Sequence, residues 1–490
     1  MSIDTVILHE DFSASQAVIK CNGTLIIVIY TVCASAICCF GEKKAADASV
    51  PQINRKKWLS LARETGKELR HKVIYCIYVR SHTVDGTFNA IVPDLDRIKN
   101  LGADMIWFMP IHPCGRVNMK GSAGSPYAIQ DYREVNPEYG TKQDFENLVA
   151  EIHSRGMKCM IDVVYNHTSP DSFLVKHHPE YFYKTPGGEF GNKVADWGDI
   201  IDLDFNNPEL WDYLIETLKM WAGIVDGFRC DVAPLIPLEF WRRARMEVET
   251  VRPGCVWLAE TVEGEFIKLN RGQGLTALSD GETYQAFDIT YDYDVINFMR
   301  DYFEGKGGLK HYIDMLNRQD VAYPENYVKL RFLENHDRPR AKSFIHSESD
   351  LLNWTAFLYF QKGTTLVYAG QEAQSALKPS LFEVEKVDWD RKRDISGFMR
   401  KLYGIKQHHL FADGDYFLEK DGDSETIIGY YEKDGQKIAG VFPVKSEHVN
   451  IRLSDVPDGC YKDLINGQDI NVRSGAVHTP GRAVIFKVEG

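Results

Sequence analysis

From residue 73 onward the chain repeats one pattern eight times: a short run of β-branched, aromatic and other apolar residues, then a segment whose apolar residues fall at helical spacing. The runs are Val73 to Val79, Met105 to Met109, Cys159 to Val164, Gly227 to Asp231, Val256 to Ala259, Gln285 to Ile289, Val328 to Phe332 and Thr364 to Tyr368. Their near-continuous apolar character marks parallel strands covered on both faces, with the helices supplying the crossovers. Eight such units predict an α/β chain closed into a (β/α)8 TIM barrel. Two helices are well signalled. Thr141 opens one, with Asp144 three residues on and Phe145, Leu148, Val149 and Ile152 on one face. Asn207 and Pro208 open the other, and Gly223 closes it.

Two connections are long, Cys114 to Gly140 and Thr168 to Asn207, and both are too aromatic for disorder. After a last helix read at Leu402 to His409, the pattern turns to alternation punctuated by Asp413 Gly414, Asp421 Gly422, Asp434 Gly435 and Asn466 Gly467, as in antiparallel hairpins. The expected organisation is a leader or anchor-like segment over 1–50, a barrel over 51–410 with a short insertion at 168–207, and an all-β sandwich over 411–490.

Leu25 to Phe40 is apolar apart from Thr31 and Ser35, a length that suits a secretory h-region better than a membrane span. Ser35 Ala36 Ile37 before Cys38 gives a lipoprotein-like alternative, and a start codon set too far upstream is a third. The protein is then secreted or membrane-anchored if residues 25–40 are an address, and cytoplasmic otherwise. Cys76, Cys114, Cys159, Cys230, Cys255 and Cys460 form no CxxC pair and read as buried free thiols. Lys plus Arg 57 against Asp plus Glu 70, a formal charge of −13, excludes a nucleic-acid-binding surface and leaves a membrane only through the N-terminal segment.

Active sites of such barrels lie at the C-terminal ends of the strands. Four ends carry polar residues: Asp162, Asn166 and His167 on the third, Arg229 and Asp231 on the fourth, Glu260 on the fifth, and Glu334, Asn335, His336 and Asp337 on the seventh. One Asp at a strand end reads as a helix cap or ion-pair partner, and one Asn-His pair as a loop anchor. Carboxylates ending strands four, five and seven together are not produced by those readings. The cluster suits an oxocarbenium-like transition state, in which one carboxylate attacks, a second of raised pKa protonates the leaving oxygen, and a third stabilises charge or grips sugar hydroxyls. Arg229, two residues before Asp231 on one strand, points into the same barrel and keeps that carboxylate ionised.

These four segments, in this order, resemble the conserved regions of the α-amylase family of glycoside hydrolases (family 13-like), from about residue 70 to the end. The resemblance implies a retaining enzyme that cleaves α-glucosidic bonds in maltooligosaccharides or related α-glucans. It implies Asp231 as nucleophile, Glu260 as acid/base and Asp337 as the third carboxylate. Arg229, His167 and His336 match residues lining the subsite of the reacting sugar, and Tyr127, in Ser125 Pro126 Tyr127, matches the aromatic platform under it. Calcium-binding relatives often carry Lys and His three and four residues after the nucleophile, where this chain has Pro234 and Leu235. Asn166 matches a calcium-ligand position but reads better as a loop anchor. The expectation is therefore no cofactor, no structural calcium, and a short oligosaccharide substrate. A transglycosylase of the same family, or a non-catalytic amylase-like ectodomain, would share the pattern.

Overall fold

A computed structural model describes the backbone of residues 6–8, 16–21 and 24–29, and then residues 62, 64–194, 197–389, 391–422, 424–448 and 450–488. The chain divides into two compact units, 1–54 and 55–490. In the first, Val6–Leu8, Gln16–Cys21 and Thr24–Ile29 form an antiparallel sheet. Residues 30–40 of the candidate address segment lie outside the described residues. Among the described residues, no helix is long and apolar enough to cross a membrane.

The second unit holds a closed parallel barrel of eight strands: β1 (Val73–Ile77), β2 (Met105–Phe108), β3 (Lys158–Val163), β4 (Gly227–Cys230), β5 (Val256–Ala259), β6 (Ile289–Tyr291), β7 (Lys329–Arg331) and β8 (Thr364–Tyr368). Each pairs with its sequence neighbours, and β8 closes on β1. Thr141 and Asp144 form a reciprocal capping box on helix Lys142–Ser154, and the Asn207 side chain caps helix Pro208–Ala222 with Pro208 in its first turn. Both cap the way their sequences specify.

Several boundaries differ from expectation: β1, β2 and β4 end one or two residues early, and β3 begins and ends one residue early. β6 begins at Ile289 rather than Gln285, because a capping box between Ser279 and Glu282 winds Asp280–Thr283 into a helical turn. β7 is shorter at both ends than Val328 to Phe332. The last barrel helix is Ser396–Lys406, burying Met399 and Leu402, and a separate short helix covers Leu410–Asp413. Of the six cysteines beyond the leader, five are buried and free as expected, but Cys460 is exposed on an edge strand.

The insertion after β3 is pinned at its base by His167–Thr168 paired antiparallel with Ile201–Asp202. Tyr181, Phe182 and Leu203 are buried within it. Beyond the barrel, Asp415–Lys420, Thr426–Lys433, Gln436–Pro443 and Val484–Val488 form one antiparallel sheet. A second contains Asn450–Arg452, Gly459–Lys462, Asp469–Arg473 and Ala476–His478. Alternation divides the first sheet's faces: Ile428, Tyr430 and Val441 meet the second sheet's Ile451 and Val472, whereas Ile427, Tyr431 and Phe442 join the barrel's core.

Candidate active site

Asp162 on β3 and Arg229 on β4 are register partners, and the ladder continues past the strands through Asp231 N to Val163 O (2.9 Å) and Glu260 N to Cys230 O (3.0 Å). Rigid backbone thus fixes Asp231 and Glu260 where loops would leave them loose. Arg229 is fully buried and stands at the centre of three carboxylates. Its Nη1 donates to Asp162 Oδ1 (2.8 Å) and Asp231 Oδ1 (2.9 Å), and its Nη2 lies 3.0 Å from Glu260 Oε2. Its Nε donates to the Tyr291 hydroxyl at 3.2 Å, while the guanidinium sits over the rings of Trp107 and Tyr291.

Burial raises all three carboxylates, and Arg229 works against it. Glu260 goes up to about 8, through burial opposed by Arg229 and reinforced by Asp231 and Asp337. Asp231 goes up to about 6, through burial opposed by Arg229, reinforced by Asp162 and relieved by a hydrogen bond from Glu260. Asp162 is raised by burial as well, with Arg229 again the main opposing charge. One guanidinium cannot neutralise three dry carboxylates, so a proton is retained in the cluster, and Glu260 holds it most tightly.

Val232 follows Asp231 in the left-handed region, φ 34° and ψ 43°, and its N–H donates to Glu260 Oε2 at 2.9 Å. A β-branched residue seldom adopts this conformation, at a cost of order 1–3 kcal/mol. The turn aims an amide at Glu260 directly after the residue that would attack.

Asp337 is the open member, 42% exposed at its side chain against 9% for Asp231 and Glu260. Its Oδ2 is 3.1 Å from His336 Nε2, which also meets the Tyr127 hydroxyl at 2.7 Å. Tyr127 stacks on His336 and donates to Asp162 Oδ2 at 3.1 Å. Burial pulls His336 and His167 down to about 4, so both rings are neutral near pH 7. His167 is held by Asn166 Nδ2 against its Nδ1 (3.2 Å), with Trp197 of the insertion packed on its ring. Of the seven site residues expected from the sequence, Arg229, Asp231, Glu260, Tyr127, His336 and Asp337 form one bonded cluster with Asp162 at the C-terminal end of the barrel, and His167 follows β3 beside Asn166. Tyr291, Trp107 and Val232 were not anticipated. A tyrosine or tryptophan in a strand reads as core, and nothing in a Val announces a left-handed turn.

Among the described residues no group of three or more His, Cys, Asp or Glu is arranged to hold a metal ion. At the position where Asn166 would invite one, Lys193 donates from Nζ to Leu203 O (2.7 Å) and from its backbone to Asp202 Oδ2 (2.6 Å). The Asn166 carbonyl is itself occupied by Leu203 N at 3.0 Å. A half-buried ammonium therefore lies beside Leu203 and Asp202 in the insertion.

A family model described as the alpha amylase catalytic domain matches residues 54–197 and 194–405. The chain belongs to the α-amylase family. A second model, the bacterial alpha amylase C-terminal domain, matches residues 417–486. Among solved structures, an α-amylase from Lactobacillus plantarum is 44% identical, covers 86% of this chain and 99% of its own, and superposes with a TM-score of 0.84. A noncanonic maltogenic α-amylase from Thermotoga neapolitana is 33% identical over the same shares, with a TM-score of 0.76. Among curated proteins, Alpha-amylase 3 of Dictyoglomus thermophilum is 24% identical over 403 residues, 74% of this chain and 76% of its own. The chain is accordingly a glycoside hydrolase of this family, acting on α-linked glucans.

Proposed function

We propose that this α-amylase family enzyme hydrolyses α-glucosidic bonds in maltooligosaccharides by double displacement, with Asp231 as nucleophile, Glu260 as acid and then base, and Asp337 as the carboxylate that grips sugar hydroxyls. The observation that carries the assignment is the shared guanidinium of Arg229, which contacts both Asp231 and Glu260 yet leaves them with different proton affinities. In the first step Glu260 gives its proton to the glycosidic oxygen as Asp231 bonds to the anomeric carbon, and the leaving sugar departs. Glu260, now a carboxylate, takes a proton from water, and the hydroxide equivalent displaces Asp231 from the ester. Tyr127, His167 and His336 line the subsite of the reacting sugar, the two histidines as neutral hydrogen-bonding groups. No metal takes part in this scheme, and Lys193 is proposed to do for the insertion what a structural cation would do.

Chemical rescue tests the two roles. Asp231→Ala should lose nearly all activity, and azide filling the gap should attack an activated α-glucoside from the opposite face to give the β-glucosyl azide. In Glu260→Ala the good leaving group needs no proton, so the ester still forms and azide intercepts it as the α-glucosyl azide. The same anomer from both variants, or β-sugar as the first wild-type product, would show the roles to be wrong.

A further inference from the structure

The long connection after β2 and the loop after β8 are joined to each other above β1. Arg80, 3% exposed just past β1, donates from Nη1 to Gly124 O (3.3 Å) and Leu381 O (3.3 Å) and from Nη2 to Ala123 O (3.1 Å). Ala123 N donates to Phe382 O at 2.9 Å, and the Glu383 carboxylate accepts from Ser122 N and Ser122 Oγ. Gly121, at φ +63°, passes so close to the Phe382 carbonyl that a Cβ there would overlap it. Lys120 carries the seam on to the insertion through a 2.7 Å ion pair with Asp199, whose side chain is 4% exposed. Each joined segment also lines the catalytic centre or its rim. Tyr127 lies in the first, Lys378 in the second is near enough to His336 and Asp337 to interact with them, and Trp197 in the third packs on His167.

The position of this seam relative to Glu260 gives it a consequence. The acid protonates the oxygen that leaves, so the departing part of the substrate lies on the β5 side. In a closed ring of eight strands, β1 stands opposite β5. The seam therefore lies on the side where the retained, non-reducing sugars must sit.

We propose that the seam of 120–124 with 381–383 and Asp199 closes the non-reducing end of the cleft, so that the enzyme works inward from chain ends and releases short products. The proposal rests on the reading of Glu260 as the acid. It assigns specificity to Lys120, Gly121 and Glu383, which touch none of the reacting groups.

The test compares p-nitrophenyl maltoheptaoside with the same compound carrying a 4,6-O-ethylidene block on its non-reducing glucose. Wild type should cut the free substrate at least about 100-fold faster than the blocked one, the discrimination available to a pocket that must exclude a bulky group. Lys120→Ala with Glu383→Ala, and separately Gly121→Ala, should raise cleavage of the blocked substrate about tenfold or more and lengthen the first products from the free one. Cleavage of both substrates within about twofold by wild type would overturn the wall without touching the catalytic assignment. Failure to cut even the free heptaoside would overturn the function on which it rests. Because the wild-type comparison decides by itself, a variant that failed to fold would not rescue the proposal.

Discussion

Arg229 compensates one charge among Asp162, Asp231 and Glu260, and the uneven sharing sets the working pH. Asp231 must be ionised to attack, and below about 6 it takes a proton. Glu260 must be protonated to donate, and above about 8 it has lost that proton. The log of kcat/KM should therefore form a bell whose limbs belong to the pair, near those two values. His167 and His336, held near 4, add no limb inside it. A 2,4-dinitrophenyl α-glucoside, whose leaving group needs no proton, should keep the acid limb and lose the alkaline one. An alkaline limb of unchanged height with that substrate would mean that Glu260 is not the acid. Six of the seven expected residues were legible because each is a polar side chain at or just past a strand end, where packing has no use for it. Tyr127 lies in the long connection after β2 and came only through the resemblance of Ser125 Pro126 Tyr127. Tyr291 was not legible, although its hydroxyl accepts from Arg229, because its apolar bulk serves the core as well.

At the scale of elements, apolar runs report burial, and burial is not always strand. The run from Gln285 reads as strand because Ala286, Phe287 and Ile289 are apolar, yet Phe287 is buried in a turn by packing against Trp241. β5 and β8 needed no correction, and a glycine, Gly254 or Gly363, stands just ahead of each run. The insertion's short strands His167–Thr168 and Ile201–Asp202 were invisible, because pairs of residues carry no period. Its hidden support is Lys193, whose ammonium, lowered in pKa by burial, rests on Leu203 O beside Asp202. If this ammonium stands in for a cation, chelator should leave the melting temperature of wild type unchanged. Lys193→Met should lower it by several degrees, because Asp202, already raised by burial, loses its neighbouring charge. Differential scanning calorimetry with and without chelator and added calcium reads both. A wild-type drop with chelator that calcium restores would show a bound ion despite Lys193.

For the whole molecule, the sandwich and the barrel are coupled through a socket for one ring. Gly429 and Gly440 are register partners on neighbouring strands, and a Cβ on either would press on Phe360, at the end of helix Glu348–Phe360. The Tyr431 hydroxyl donates to Phe360 O at 3.0 Å, and Asn353 on the same helix donates to Pro443 O and accepts from Ala483 N at 2.7 Å. Glycine is normally a poor strand residue, so its pairing where the Phe360 ring enters the sheet has a steric cause. Because Ile427, Tyr431 and Phe442 sit in the same core as the barrel helices, neither part should melt alone. A single calorimetric transition is expected, and Gly429→Ala should move the whole of it down by overpacking, at a cost of about 1–3 kcal/mol. Phe360→Ala empties the socket and is itself destabilising through the cavity. In that background the added methyl of Gly429→Ala has room, so its penalty should largely vanish. The double-mutant cycle should therefore show a coupling of about 1 kcal/mol or more. Additive losses, or a Gly429→Ala protein that unfolds in two steps with the barrel's transition unmoved, would mean that the sandwich is an independent appendage and the fit of Phe360 between the glycines is incidental.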